Sequence, residues 1–190
     1  VLVLLVQFTD HQDRVLPPKE YYEELCNGSG PSAINPVGSI SEYFNQSSYG
    51  QFNVNCEVMD WRLTYNTEDF FAKGTSGLVG SDRGQDFFRP ILDEIEAASS
   101  QFYFFGLDGQ NGDNNGQIEL VVLHSGYAAD GIGTDCYGRG RDDRIWSQGH
   151  KGTDNGWTTS DKNFAVTGYT VASALDPKDD CAGSGAKMGV

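Results

Sequence analysis

The chain has 190 residues with 38% hydrophobic and 12% aromatic content, which is typical of a folded protein and excludes an acidic disordered tail. Its 27 acidic and 13 basic residues give a formal net charge of −14, with only a loose grouping of positive charge at Arg139, Arg141 and Arg144. Nucleic acid and anionic membranes are therefore excluded as expected partners, because phosphate contacts need concentrated positive charge, whereas divalent cations fit. We expect a single domain over residues 1–190.

The chain opens with the apolar run VLVLLVQF, which predicts a strand buried on both faces of a sheet. Its longest uninterrupted apolar part, Val1–Val6, is far shorter than the roughly 20 residues that span a bilayer, so we expect no membrane span. The run also lacks the basic region and cleavage site of a signal peptide. For a secreted protein, the leader would already be removed.

Two helices are predicted in the first third of the chain. The first, KEYYEELC, follows a pair of prolines at a position where a missing N–H costs no hydrogen bond. The second, ISEYFNQSS, is capped by Ser39 or Ser41. Helical spacing places four of its residues on one face, namely Ile40, Tyr43, Phe44 and Ser47.

The next elements are a strand, a loop and a third helix. Residues 51–61 alternate between apolar and polar side chains, which predicts a strand with one buried face. A loop rich in Gly, Ser and Asp is expected over 66–84. An amphipathic helix follows over 85–99, and Pro90 favours its second half as the regular part.

A buried central strand is predicted at Leu120–Leu123, ending at the segment His124-Ser125-Gly126. Glycine and aspartate dominate residues 128–144, which predicts a long ordered loop. A further strand is predicted over 163–173.

The three histidines, His11, His124 and His150, are far apart in a sequence that contains no H-E-x-x-H, G-x-S-x-G or P-loop motif. His124 is expected to bond a backbone carbonyl and anchor the following loop, with a catalytic or ligand role as the alternative. His11 and His150 are expected at the surface. No catalytic residue is assigned.

Residues 111–119, NGDNNGQIE, place side-chain oxygens at alternate positions around a glycine, as a calcium-binding loop does. The alternative is a plain turn, because Asn, Asp and Gly also favour tight turns. The first position is Asn rather than Asp, and the twelfth, Val122, carries no carboxylate. We hypothesise one calcium ion held by ligands drawn from Asp108, Asn111, Asp113, Asn115, the Gln117 carbonyl and Glu119.

Four cysteines without a C-x-x-C pair favour two disulfides over a zinc ribbon, and hence a secreted or cell-surface protein. The alternative is a set of free buried thiols in an intracellular protein. Of the three possible connectivities, we predict Cys26–Cys56 and Cys136–Cys181. Two N-glycosylation sequons, at Asn27 and Asn45, also favour secretion.

Four segments together resemble the immune inhibitor A family of secreted zinc metallopeptidases. They are VLVLLVQFTDH, VGSISEYFNQSSYGQFNV, NGDNNGQIELVVLHSGYAADG and DDRIWS, and they occur in the family's order over nearly the whole chain. The chain departs from the family pattern at three positions: Gln148 stands where a histidine follows Ile-Trp-Ser, Asn111 replaces an aspartate, and Asp130 replaces a glutamate.

The resemblance implies an α+β, zincin-like N-terminal subdomain: a twisted mixed β-sheet with two to three backing helices and long Gly/Asp-rich loops. Zinc and the H-E-x-x-H helix are then expected beyond Val190, in the remainder of the peptidase domain. Protein or peptide substrate would pair with an edge strand, for which Ala165–Ala172 is the candidate. The alternatives are a non-catalytic extracellular module, stabilised by calcium and disulfides, that binds neighbouring extracellular proteins, and an unrelated calcium-binding domain.

Overall fold

A computed structural model describes residues 1–78, 85–98, 116–131, 133–151, 156–161 and 163–175, and these residues form an α+β fold with a mixed sheet. The α-helices are α1 (Lys19–Asn27), α2 (Ile40–Ser47), α3 (Glu68–Ala72) and α4 (Arg89–Ala98), and 3-10 helices lie at Thr9–His11, Gln85–Phe87 and Arg141–Asp143. The strands are β1 (Leu2–Gln7), β2 (Glu57–Val58), β3 (Arg62–Leu63), β4 (Gln117–His124), β5 (Gln148–Lys151), β6 (Trp157–Thr158) and β7 (Ala165–Ser173).

The sheet has the order β2-β1-β4-β7-β5, with β3 also paired to β1 and β6 also paired to β7. Strands β2, β3 and β4 run parallel to β1, and β7 runs parallel to β4. Strands β5 and β6 run antiparallel to β7. The two long strands predicted from apolar runs, β1 and β4, are therefore neighbours at the centre of the sheet, as parallel strands with helices on both faces usually are.

Alternate residues of β1 point into two separate cores, so this strand is buried on both faces, as predicted. Leu2, Leu4 and Val6 pack with α3, α4 and the 3-10 helix before α4. Val3 and Leu5 pack on the opposite face with Tyr22 of α1. The sheet is thus a layer between two groups of helices.

Two helices begin at residues that favour a helix N-terminus. Ser39 is the N-cap of α2, and its side chain accepts the Glu42 N–H while the Glu42 carboxylate accepts the Ser39 N–H. Pro90 occupies the first turn of α4, where it interrupts no helical hydrogen bond. Helix α2 nevertheless contains no buried residue, and its aromatic face is exposed.

The predicted strand over 51–61 is wrong for most of its length, since only Glu57–Val58 pairs with the sheet. The preceding part packs on α2 instead: the Phe52 ring lies 5.7 Å from the Phe44 ring, and the Phe52 N–H bonds to Ser48 Oγ at 2.8 Å. The loop expected over 66–84 contains the helix α3, whose five residues are too few to give a periodic pattern.

Ala165–Ala172 is not an edge strand, and that prediction is wrong. It belongs to β7, which pairs with β4 on one side and with β5 and β6 on the other. Pairing with β4 skips Thr167, so Val166 and Tyr169 face the same core across this bulge. The outer strand on this side of the sheet is the antiparallel strand β5.

Candidate functional site

A cluster of buried polar residues lies where β1 and β4 end. Because the strands are parallel and Val6 is in register with His124, the turn after β1 and the turn after β4 meet at one edge of the sheet. In open sheets of parallel strands this edge is the usual location of functional sites. The turn after β1 contributes Asp10 and His11, and the turn after β4 contributes Ser125.

Ser125 connects the two turns. Its hydroxyl accepts the Phe8 N–H at 3.1 Å and is 2.9 Å from His11 Nδ1, and its own N–H bonds to the Val6 carbonyl. Its carbonyl accepts Arg14 Nη1 at 2.7 Å. The backbone N–H, the carbonyl and the hydroxyl oxygen of this serine therefore each have a buried partner.

Arg139 reaches the cluster from the segment after β4. Its Nη2 bonds to Asp10 Oδ2 at 2.6 Å, and its Nη1 lies 3.1 Å from Glu68 Oε2 and 2.5 Å from His11 Nε2. A guanidinium can only donate, so His11 Nε2 accepts, and His11 is neutral with its Nδ1–H donating to Ser125. Burial, reinforced by the positive charges of Arg14 and Arg139, lowers the pKa of His11 to about 2.

Glu68, the first residue of α3, has a fully buried carboxylate. Its Oε1 accepts the Ile145 N–H at 3.2 Å, and its own N–H donates to Asp10 Oδ1 at 3.1 Å. Burial raises the pKa of Glu68 to about 7, although the Ile145 N–H and the charges of Arg14 and Arg139 act in the opposite direction. The Glu68 carboxyl therefore changes charge near neutral pH.

The Arg14 guanidinium packs against two aromatic rings, 4.2 Å from the centroid of Tyr137 and 5.6 Å from that of Tyr127. Its Nε and Nη2 atoms have no hydrogen-bond partner among the described residues, and neither has Oδ2 of the buried Asp135. Cation–π contact thus takes the place of hydrogen bonds over part of this side chain.

The segment 144–147, which precedes β5, is bonded to the cluster. Arg144 is fully buried, and its guanidinium donates to the carbonyls of Gly140, Ala128 and Gly133 at 3.1, 3.2 and 3.4 Å. The next residue, Ile145, donates its N–H to Glu68. These contacts fix the path of the chain immediately before β5.

His11 is fully buried, so its predicted surface position is wrong. The local sequence does not reveal this burial, because the hydrogen-bond partners of the ring, Ser125 and Arg139, lie 114 and 128 residues away. His150 is half-buried and stacks on Tyr169 with ring centroids 5.5 Å apart. His124 is fully buried; its Nδ1 accepts the Gly126 N–H at 3.2 Å rather than bonding a carbonyl, and its Nε2 has no partner among the described residues.

Ser125, His11 and Glu68 have the residue types of a catalytic triad, but their arrangement does not support nucleophilic catalysis. His11 Nε2 accepts from Arg139, the His11 pKa is far below neutrality, and Ser125 is 0% exposed. A general base must accept a proton at its working pH, and a nucleophile must reach its substrate. The buried contacts of the cluster hold together the turn after β1, the turn after β4 and the start of α3.

Comparison of the chain with protein-family models found no match, and comparison with curated proteins found none either. Among the described helices, none is long and apolar enough to cross a membrane.

The described residues contain no group of three or more His, Cys, Asp or Glu side chains placed to hold a metal ion. Of the calcium candidates, only Gln117 and Glu119 are described, and both are exposed residues of β4. Gly116, which precedes them, has φ +72°, and a β-carbon there would lie 2.3 Å from the Asn163 carbonyl oxygen. Both the backbone conformation and the lack of space therefore require glycine at position 116. Outside the described residues lie Asp108, Asn111, Asp113 and Asn115.

The predicted disulfide Cys26–Cys56 is present, with Cα atoms 6.1 Å apart. Cys136 is also disulfide-bonded, and Cys181 lies outside the described residues. Both sequon asparagines carry side-chain hydrogen bonds: Asn27 bonds to the Cys56 backbone, and Asn45 donates to Asn53 Oδ1.

Sequence reasoning missed four charged members of the cluster. One signal was present for Glu68, because Thr67 is a good N-cap residue and its hydroxyl does accept the Phe70 N–H. No local pattern distinguishes the others from surface charges: Asp10, Arg14 and Arg139.

Proposed function

We propose that these residues form the scaffold side of a secreted zinc endopeptidase, whose zinc ligands follow Val190, and that β5 binds the backbone of a peptide substrate. The observation that carries this proposal is the position of β5. It is a short antiparallel strand at the edge of a mixed sheet, and no described strand pairs with its outer edge. An extended peptide adds to such an edge by β-augmentation.

The chain immediately before β5 is held rigidly, which suits a substrate-binding edge. Ile145 is tied to Glu68, and both the N–H and the hydroxyl of Ser147 bond to Asp130 Oδ1 at 3.2 and 2.9 Å. β5 begins at the next residue, Gln148. A binding edge fixed in this way loses little conformational entropy when a peptide pairs with it.

In this proposal the described residues would bind and orient the substrate through β5, and the zinc ligands would come from the remainder of the domain. Zinc, when bound by the remainder of the domain, would supply an activated water. The alternative is a non-catalytic extracellular module that captures extended segments of neighbouring proteins through the same edge. The Cys26–Cys56 disulfide is compatible with either function in an oxidising compartment.

The test uses the full-length secreted protein and an unfolded protein substrate such as reduced casein. Cleavage that stops with 1,10-phenanthroline and returns with zinc supports the peptidase. Binding of extended peptides without cleavage supports the non-catalytic module. If the protein neither cleaves nor binds extended peptides, both functions are excluded.

The role of β5 is tested with peptides, which leaves the protein unchanged. N-methylation at alternate backbone positions of a bound or cleaved peptide removes the N–H groups that face a strand partner. We expect methylation at one set of alternate positions to weaken binding or cleavage by roughly tenfold or more, and methylation at the other set to have little effect. Equal effects at all positions would rule out strand pairing.

A further inference from the structure

Asn27 makes a two-way hydrogen-bonded pair with the backbone of Cys56. Its Nδ2 donates to the Cys56 carbonyl at 2.8 Å, and the Cys56 N–H donates to its Oδ1 at 2.9 Å. The side-chain amide thus satisfies both backbone groups of Cys56, as a neighbouring strand would. We call this pair the Asn27 clasp.

The clasp lies beside two other restraints. Cys26, the residue before Asn27, forms the disulfide to Cys56, and Glu57, the residue after Cys56, donates its N–H to the Val1 carbonyl as β2 begins. The clasp therefore sets the direction of the chain as it leaves the disulfide and enters the sheet.

Carbohydrate on Asn27 is incompatible with this pair. N-glycosylation converts the primary amide to a secondary amide, which strongly prefers the trans form. In that form the sugar lies on the same side of the C–N bond as Oδ1. In the two-way pair, the Nδ2 hydrogen on that same side donates to the Cys56 carbonyl, so the sugar would replace the donating hydrogen.

Asn45 has no such conflict. It lies on α2 and its side chain donates one hydrogen bond, to Asn53 Oδ1, while no group of the described residues donates to Asn45 Oδ1. A secondary amide keeps one N–H, which is sufficient for a single bond to the exposed Asn53 side chain. We propose that Asn27 is a structural residue left without carbohydrate, and that Asn45 is the glycosylated asparagine of the folded protein.

Site occupancy is measured on the full chain secreted from a eukaryotic host. Release of N-glycans by peptide N-glycosidase F in ¹⁸O-water converts each glycosylated asparagine to ¹⁸O-labelled aspartate, which mass spectrometry locates. We expect the label at Asn45 and unmodified asparagine at Asn27. Label at Asn27 in protein that contains the Cys26–Cys56 disulfide would overturn the proposal for Asn27, and absence of label at Asn45 would overturn the proposal for Asn45.

Thermal unfolding of variants tests the clasp independently of the host. Ser29→Ala removes the first sequon at an exposed residue and keeps the clasp, so we expect an unchanged Tm. Asn27→Asp keeps the acceptor but turns an oxygen towards the Cys56 carbonyl, and Asn27→Ala removes both bonds. Each should lower the Tm by roughly 2–6 °C. Equal Tm values for all three variants would show that the pair has no structural role.

Discussion

A β-carbon on Gly126 would lie 2.0 Å from Glu68 Oε1. The buried carboxylate of α3 thus packs directly against the backbone after β4 and leaves no room for a side chain at position 126. Gly126 does not have a positive φ, so the requirement for glycine here is steric. Glu68 cannot easily withdraw, because its oxygens are held by the Ile145 N–H and by Arg139.

We therefore expect Gly126→Ala to lower the free energy of unfolding by roughly 1–3 kcal/mol, measured by urea denaturation. Gly133→Ala is the control: Gly133 is exposed, a β-carbon there meets nothing within 4 Å, and a change below about 0.5 kcal/mol is expected. In the background of Glu68→Ala, the Gly126→Ala substitution should cost much less. Additive effects would contradict the steric explanation.

Arg139 is the counterion of two carboxylates that belong to different segments. Arg139→Ala leaves Glu68 buried without its partner and removes the bond to Asp10, so we expect a loss of roughly 3 kcal/mol in unfolding free energy. Arg141→Ala, at an exposed arginine that bonds to the Ala129 carbonyl and packs over the Trp146 ring, changes the net charge equally and should cost less than about 1 kcal/mol. Equal losses would mean that net charge, and not the cluster, determines the effect.

The stability of the fold is expected to fall between pH 6.5 and pH 4.5. Burial lowers the pKa of His11 to about 2 and that of His124 to about 3, so the unfolded chain binds two protons in this window that the folded chain does not. The raised pKa of Glu68, about 7, makes the folded chain bind one proton that the unfolded chain, with its value of 4.5, does not. The difference is 2 − 1 = 1 proton, or about 1.4 kcal/mol per pH unit.

Glu68→Gln tests this difference in bound protons between the folded and unfolded chains, because it removes the one proton that the folded state gains. The unfolding free energy should then fall about twice as steeply with decreasing pH, by about 2.7 kcal/mol per unit. Glu20→Gln, at an exposed carboxylate of α1, should leave the slope unchanged. Parallel pH profiles for wild type and Glu68→Gln would refute the assignment of the titrating group.

The sequence predicts best the strands whose buried residues are consecutive in the chain. Leu2–Val6 and Leu120–Leu123 are continuous apolar runs, and both are central strands. The strand predicted from the alternation at 51–56 is absent, because the same alternating pattern also suits a segment that packs on an exposed helix. Phe52 packs on Phe44 in this way.

The polar cluster was not predictable because its members are distant in sequence. The Glu68 N–H bonds to Asp10 across 58 residues, and Arg139 reaches Asp10 across 129. Two parts carried a local signal: the predicted end of a buried strand at His124-Ser125-Gly126, and the N-cap residue Thr67 before Glu68. The structure explains the residue types at two of these positions: Ser125 bonds to His11, and Gly126 leaves space for the Glu68 carboxylate.

Removal of calcium is expected to lower the Tm, although four of the six proposed ligands lie outside the described residues. The Gly116 carbonyl accepts the Ala165 N–H at 2.6 Å, so the end of the proposed loop is bonded to the first residue of β7 as β4 begins. An ion bound before Gly116 would thereby stabilise the start of two central strands. Binding to the folded state alone raises stability in proportion to the logarithm of free calcium.

Treatment with EGTA should therefore lower the Tm by several degrees, and calcium should restore it where magnesium, which demands stricter octahedral geometry, does not. Asp113→Asn removes a proposed carboxylate ligand and should weaken the calcium dependence. Asp60→Asn, at a carboxylate whose side chain is 78% exposed, should preserve it. A Tm that is the same with and without EGTA would favour the plain turn, because the asparagines and glycines would then serve the backbone alone.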